Sequence, residues 1–98
     1  MIADSNNARW DALRGSYSAE WIAAVRGLDL IARNVALLAA ECRDSGIAEA
    51  ATVGEIAREF GGLPLSYRPH ADAPSVGLQT VRTLRDAGLW PWQLVPRA

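Results

Sequence analysis

Side chains able to move protons, attack carbon or hold a metal are few in this 98-residue chain, which has one His, one Cys and eleven acids. His70 lies in a Pro-rich stretch with Asp72 as its nearest acid. One His with one Asp falls short of a metal ligand set and of a nucleophile–base–orienter arrangement, and a lone loop His is usually solvated or hydrogen-bonded. Glu55 and Glu59 are one helical turn apart, a spacing that suits general acid–base work, but with Arg58 beside them they read as a solvated helix face. Cys42 falls on the apolar seam of a helical pattern and is expected to be a small core residue. Ser16, Ser18, Ser45 and Ser66 have no base in view, and Gly61-Gly62 lacks the Lys and the preceding strand of a phosphate loop. There is no Lys at all, so Schiff-base chemistry is excluded and every cation is a planar guanidinium suited to bidentate contacts and aromatic stacking. The expectation is a non-enzyme with no cofactor and no bound metal.

Half of the residues are apolar and 21% are charged, which describes one small domain spanning residues 1–98. Ten Arg against eleven acids leave a formal charge of −1, so no strong overall field draws the chain to nucleic acid or a membrane. Charge is uneven along it: residues 1–59 hold six Arg and nine acids, net −3, and residues 60–98 hold four Arg and two acids, net +2. The first residues lack the basic and apolar regions of a signal peptide. The uncharged apolar stretch between Arg33 and Glu41 has seven residues where a spanning helix needs ~20. With the unpaired thiol of Cys42, this points to a cytoplasmic protein with no membrane contact.

The pattern predicts an all-α fold with helices over 8–14, 18–44, 53–60 and 76–87. Asn6 and Asn7 are placed to cap the first, and Gly15 to end it in a left-handed conformation. Trp21, Val25, Leu28, Ala32, Val35, Ala39 and Cys42 recur at steps of four and three, which predicts a single long helix stopped at Ser45-Gly46. Gly27 inside it suggests a bend or a close crossing. Thr52-Val53-Gly54-Glu55 has the form of a capping box at the start of the third helix, and Gly61-Gly62 the form of its end. The Pro-rich residues 61–75 predict a turn-rich connection, Ser75 a cap and Gly88 a stop for the last helix. The tail from Trp90 is expected to be extended, adding at most one short edge strand. Expected core members are Trp21, Val25, Leu28, Ile31, Val35, Leu38, Ile56, Phe60, Leu78, Val81, Leu84 and Leu89. At ~1.5–3 kcal/mol per well-buried large side chain, such a set supports a marginally stable monomer and leaves room for a homodimer.

The run Thr52 to Gly61 (Thr-Val-Gly-Glu-Ile-Ala-Arg-Glu-Phe-Gly) resembles the first helix of helix-turn-helix regulators, with the small Ala57 where the helices cross and Gly61 at the turn. Val81 to Leu89 is similar to the end of a recognition helix in the winged members of that group. The resemblance spans residues 52–89 and implies a DNA-binding regulator in which Ser75, Gln79, Thr80, Arg82 and Arg85 face the groove, Arg and Gln reaching guanine and adenine edges.

A second reading starts from Trp90-Pro91-Trp92, two large amphipathic rings on a stiff segment with Arg82, Arg85 and Arg97 near in sequence. Trp and Arg dominate the energetics of protein interfaces, although both rings can instead fold back onto the small core, a reading that ranks slightly ahead for Trp90 and level for Trp92. This reading takes Tyr67, Arg68, His70, Arg82, Arg85, Trp90 and Trp92 as the contact surface of a small regulatory protein that docks on another protein, such as an adaptor, an antitoxin-like partner or a mobile-element inhibitor of host machinery. It ranks ahead of DNA binding because duplex readers add many Lys and Arg contacts to phosphate, and this region offers few.

Overall fold

A computed structural model describes residues 6–60 and 76–94, and among these the chain is all-α with no strand. Helix α1 (Asn7–Ala12) runs into a 3-10 turn (Leu13–Gly15) and is followed by α2 (Ala19–Arg26), α3 (Leu30–Asp44), α4 (Glu49–Glu59) and α5 (Val76–Asp86). A second 3-10 turn, Pro91–Gln93, replaces the extended tail expected there, with Pro91 at its first position. No described helix is long and apolar enough to cross a membrane.

The single helix expected over 18–44 is two helices. Ser18 caps α2 by accepting from the Trp21 amide at 3.1 Å. Asp29, in extended backbone, then caps α3 by accepting from the Ala32 amide at 2.9 Å. A side-chain acceptor three residues before an amide is a start signal, and with Gly27 just upstream it overrides the continuous apolar seam. Helix α4 begins at Glu49, ahead of the expected capping box. Glu49, Ala50 and Ala51 are strong helix formers, so Thr52 lies inside the helix, buried, with its hydroxyl donated back to the Ala48 carbonyl at 3.0 Å. Asn6 occupies the N-cap of α1, but its side chain makes no cap bond, and Gly15 does not have positive φ.

The glycine stops at Gly46 (φ 80°) and Gly88 (φ 73°) form as expected. At the end of α5 the amides of Gly88 and Leu89 donate to the carbonyls of Arg85 and Leu84 at 3.0 and 2.9 Å, the paired bonds of a Schellman motif. Gly46 and Ile47 repeat the arrangement on Arg43 and Cys42 at the end of α3. Each stop fixes the direction in which the next segment leaves.

Helix α3 is central, packed against α2, α4, α5 and the C-terminal turn. Its Ala36, Ala39 and Ala40 are buried and let neighbouring helices approach, while Val35 and Leu37 fill the space between. Trp10, Leu13, Tyr17, Trp21, Ile22 and Val25 from the N-terminal helices and Ile56, Val81, Leu84 and Trp90 from the C-terminal ones complete the same core. Of the expected core members, Leu28, Leu38, Phe60 and Leu89 are half-buried against this cluster. Ile31 and Leu78 are on the outside, each 38% exposed.

The close crossing expected at Gly27 occurs instead at Gly77. A Cβ on Gly77 would lie 2.5 Å from the Ile56 carbonyl oxygen, so only glycine lets the first turn of α5 lie against α4. The Gly77 amide also donates to the Phe60 carbonyl at 3.1 Å, so the chain returns to α4 at the place where it left it.

Candidate partner-binding surface

The C-terminal Trp and Arg residues are divided between the interior and the surface. Trp90 is 0% exposed and its indole nitrogen donates to Glu49 Oε2 at 2.6 Å. Arg85 donates to the same oxygen at 3.2 Å and its guanidinium lies 5.6 Å from the centre of the Trp90 ring. Gln93 accepts from the Trp90 amide at 3.3 Å and donates to the Arg85 carbonyl at 3.1 Å. Trp21 donates its indole proton to the Leu89 carbonyl at 2.8 Å, tying the same segment to α2. The Glu49–Arg85–Trp90 cluster is thus an internal clasp holding the C-terminal turn onto α4 and α5.

This corrects the expected contact surface at Trp90. Trp90 is a core side chain with its polar tip satisfied, so it is not an anchor for a partner. Arg85 is exposed at its edge but committed to Glu49 and to the Trp90 ring. Trp92 is half-buried, 5.3 Å from Trp90 between ring centres, and presents part of its ring outward. Arg82 is exposed and has no acidic partner among the described residues. Tyr67, Arg68 and His70 lie outside the described residues.

The outward face of α5 and the adjoining face of α4 enclose a groove of about 580 Å³. Val53, Leu78 and Val81 give it apolar walls, and Gln79, Arg82, Arg85 and Asp86 give it a polar rim. Val81 belongs to the core, and the groove is formed because Gly77, one step before Leu78, occupies the inward position. Leu78 therefore sits outward, beside Arg82 one turn later and Asp86 one turn beyond that. Sequence reasoning placed Leu78 in the core because a buried glycine carries no hydropathic signal. The step 78–81–84 competes with 77–81–84 on equal terms.

Of the residues implied by the helix-turn-helix resemblance, Gln79, Arg82 and Arg85 are exposed on α5, and Ser75 lies outside the described residues. Thr80 is half-buried with its hydroxyl donated to the Val76 carbonyl at 2.8 Å.

A second, smaller cleft of about 350 Å³ lies between α1, α3 and the end of α4, lined by Asn6, Arg9, Asn34 and Phe60 among others. Its cation is used internally: Arg9 is paired with Glu41, and this hydrogen-bonded carboxylate holds the guanidinium pKa above its ordinary value. At the α4–α5 groove the exposed Leu78 lies on the same face as Arg82 and Asp86, which are in no ion pair among the described residues. No known family model, no curated protein and no solved structure matches the chain.

Proposed function

We propose that this protein is a non-enzymatic docking module that binds another polypeptide through the α4–α5 groove. The observation that carries the reading is Leu78, 38% exposed between apolar walls, with the unpaired Arg82 and Asp86 on the same face. An apolar centre with a charged rim is the anatomy of a protein interface, and the rim sets orientation more than affinity. The clasp behind the groove supports this by keeping α5, α4 and the C-terminal turn in fixed relation, so that little ordering is needed on binding.

Duplex DNA binding is the second reading, supported by Gln79 and Arg82 on the outward face of α5. It is weaker because Asp86 places a carboxylate on the same face as those donors, where phosphates would be repelled, and because Leu78 has no counterpart in backbone recognition.

The two readings separate in one experiment. Tagged protein is recovered from its native host beside Leu78→Asp, Arg82→Glu and, as a control on α2, Glu20→Ala. The docking reading expects a bound protein that is lost from the first two variants and retained by the third, with no duplex binding at physiological salt. Duplex binding that falls steeply with salt and disappears in Arg82→Ala would establish the DNA reading instead.

A further inference from the structure

We infer that the occupant of the α4–α5 groove is a second copy of this chain, with the two α5 helices antiparallel about a twofold axis and Arg82 of each copy facing Asp86 of the other. The inference rests on the docking reading above and names its partner. Arg9, Arg14, Arg58 and Arg85 are each paired with one of the chain's own acids, namely Glu41, Asp11, Glu55 and Glu49. Arg82 and Asp86, one turn apart on the outward face of α5, are within ion-pair distance of no group among the described residues, nor of each other.

A cation and an anion set one turn apart on a helix ask for the opposite order on a partner. An acidic segment would satisfy Arg82 but be repelled by Asp86, and a basic one the reverse. An antiparallel copy supplies the opposite order without further requirement, because a twofold axis makes every contact reciprocal. With the helices crossing near position 84, position 82 of one copy faces 86 of the other, twice. Leu78 then lies roughly 9 Å from the crossing, at ~1.5 Å per residue, and is carried towards the Pro91–Gln93 turn of the other copy. The net charge of −1 gives no repulsion to keep copies apart. A single helix pair buries less than the ~800 Å² per partner of a standard interface, so the pairing is weak and is read across a concentration series.

Sedimentation equilibrium of the full chain over such a series, with helix content followed by circular dichroism, tests the arrangement. The expected result is a monomer–dimer equilibrium. Arg82→Asp sets Asp against Asp and Asp86→Arg sets Arg against Arg, so each weakens the dimer about tenfold or more. The double variant R82D/D86R exchanges the signs and restores pairing to within about threefold of the parent. Leu78→Asp abolishes it. A folded chain that stays monomeric at every concentration overturns the self-pairing and leaves the docking reading standing. A dimer weakened by both single variants and not rescued by the double overturns the antiparallel register. A dimer indifferent to all four variants forms through another face and overturns the groove as the self-pairing surface.

Discussion

Four indoles share the work of a small core, and the difference between them lies in the nitrogen. Trp21 and Trp90 donate to the Leu89 carbonyl and the Glu49 carboxylate, whereas Trp10, equally buried, has no acceptor for its Nε1 among the described residues. A buried donor left unmade is a standing cost, and a charge-assisted bond is a gain. Trp90→Phe and Trp10→Phe remove similar ring volume, so thermal or denaturant melts should show Trp90→Phe as the more damaging by about 1 kcal/mol. Tyr17 gives a pH-dependent counterpart. It is buried, stacked 4.6 Å from Trp21 between ring centres, with its hydroxyl 3.3 Å from the Ala40 carbonyl. Burial raises its pKa above the ordinary tyrosine value, although the nearby Arg43 guanidinium works against that shift. The folded state thus holds the neutral phenol where the unfolded chain would ionise. The stability linked to Tyr17 is complete below the ordinary value of about 10 and is lost as pH rises through the folded pKa. Melting temperatures followed above pH 10 should fall for the parent and fall less steeply for Tyr17→Phe.

At the scale of elements, glycines in two helices make opposite demands. Gly54 lies in α4 with nothing within 4 Å of where its Cβ would be, and Gly77 lies in α5 with the Ile56 carbonyl at 2.5 Å. Gly54→Ala should stabilise the fold by about 0.5–1 kcal/mol through backbone entropy. Gly77→Ala should destabilise it by about 1–3 kcal/mol because α5 must move off α4. A pair of denaturation curves reads both signs. The same two helices show how much of the structure could be read from residue order. The all-α class, the stops at Gly46 and Gly88, and the burial of Trp21, Val25, Val35, Ile56, Val81 and Leu84 follow from periodicity and glycine placement. The break at Gly27–Asp29 is legible only as the bend that Gly27 suggests, because the apolar seam continues across it and hides the Asp29 cap that starts a new helix. The true start of α4 was hidden by a capping-box pattern that three good helix formers outweigh. The site is half legible: residue type and neighbours point to Arg82, but spacing puts Leu78 inward and leaves Trp90 open to either a partner or the core. Their places depend on Gly77 and on Glu49 41 residues away, contacts that spacing alone does not encode.

For the molecule as a whole, a closed clasp and an open groove stand side by side among the described residues. The clasp of Glu49, Arg85, Trp90 and Gln93 closes the C-terminal end with the chain's own groups. Next to it the α4–α5 groove leaves Leu78, Arg82 and Asp86 facing outward. A chain with few groups for proton transfer or metal binding acts, on this account, by the fit of that open groove to another polypeptide. Backbone amide NMR of isotopically labelled protein, titrated with the unlabelled polypeptide that it binds, measures this most directly. The account predicts shift changes concentrated at Val53, Leu78, Gln79, Arg82 and Asp86, with Arg9, Asn34 and Leu38 unmoved. Changes centred on the α1–α3 cleft, with the α4–α5 residues silent, would contradict it.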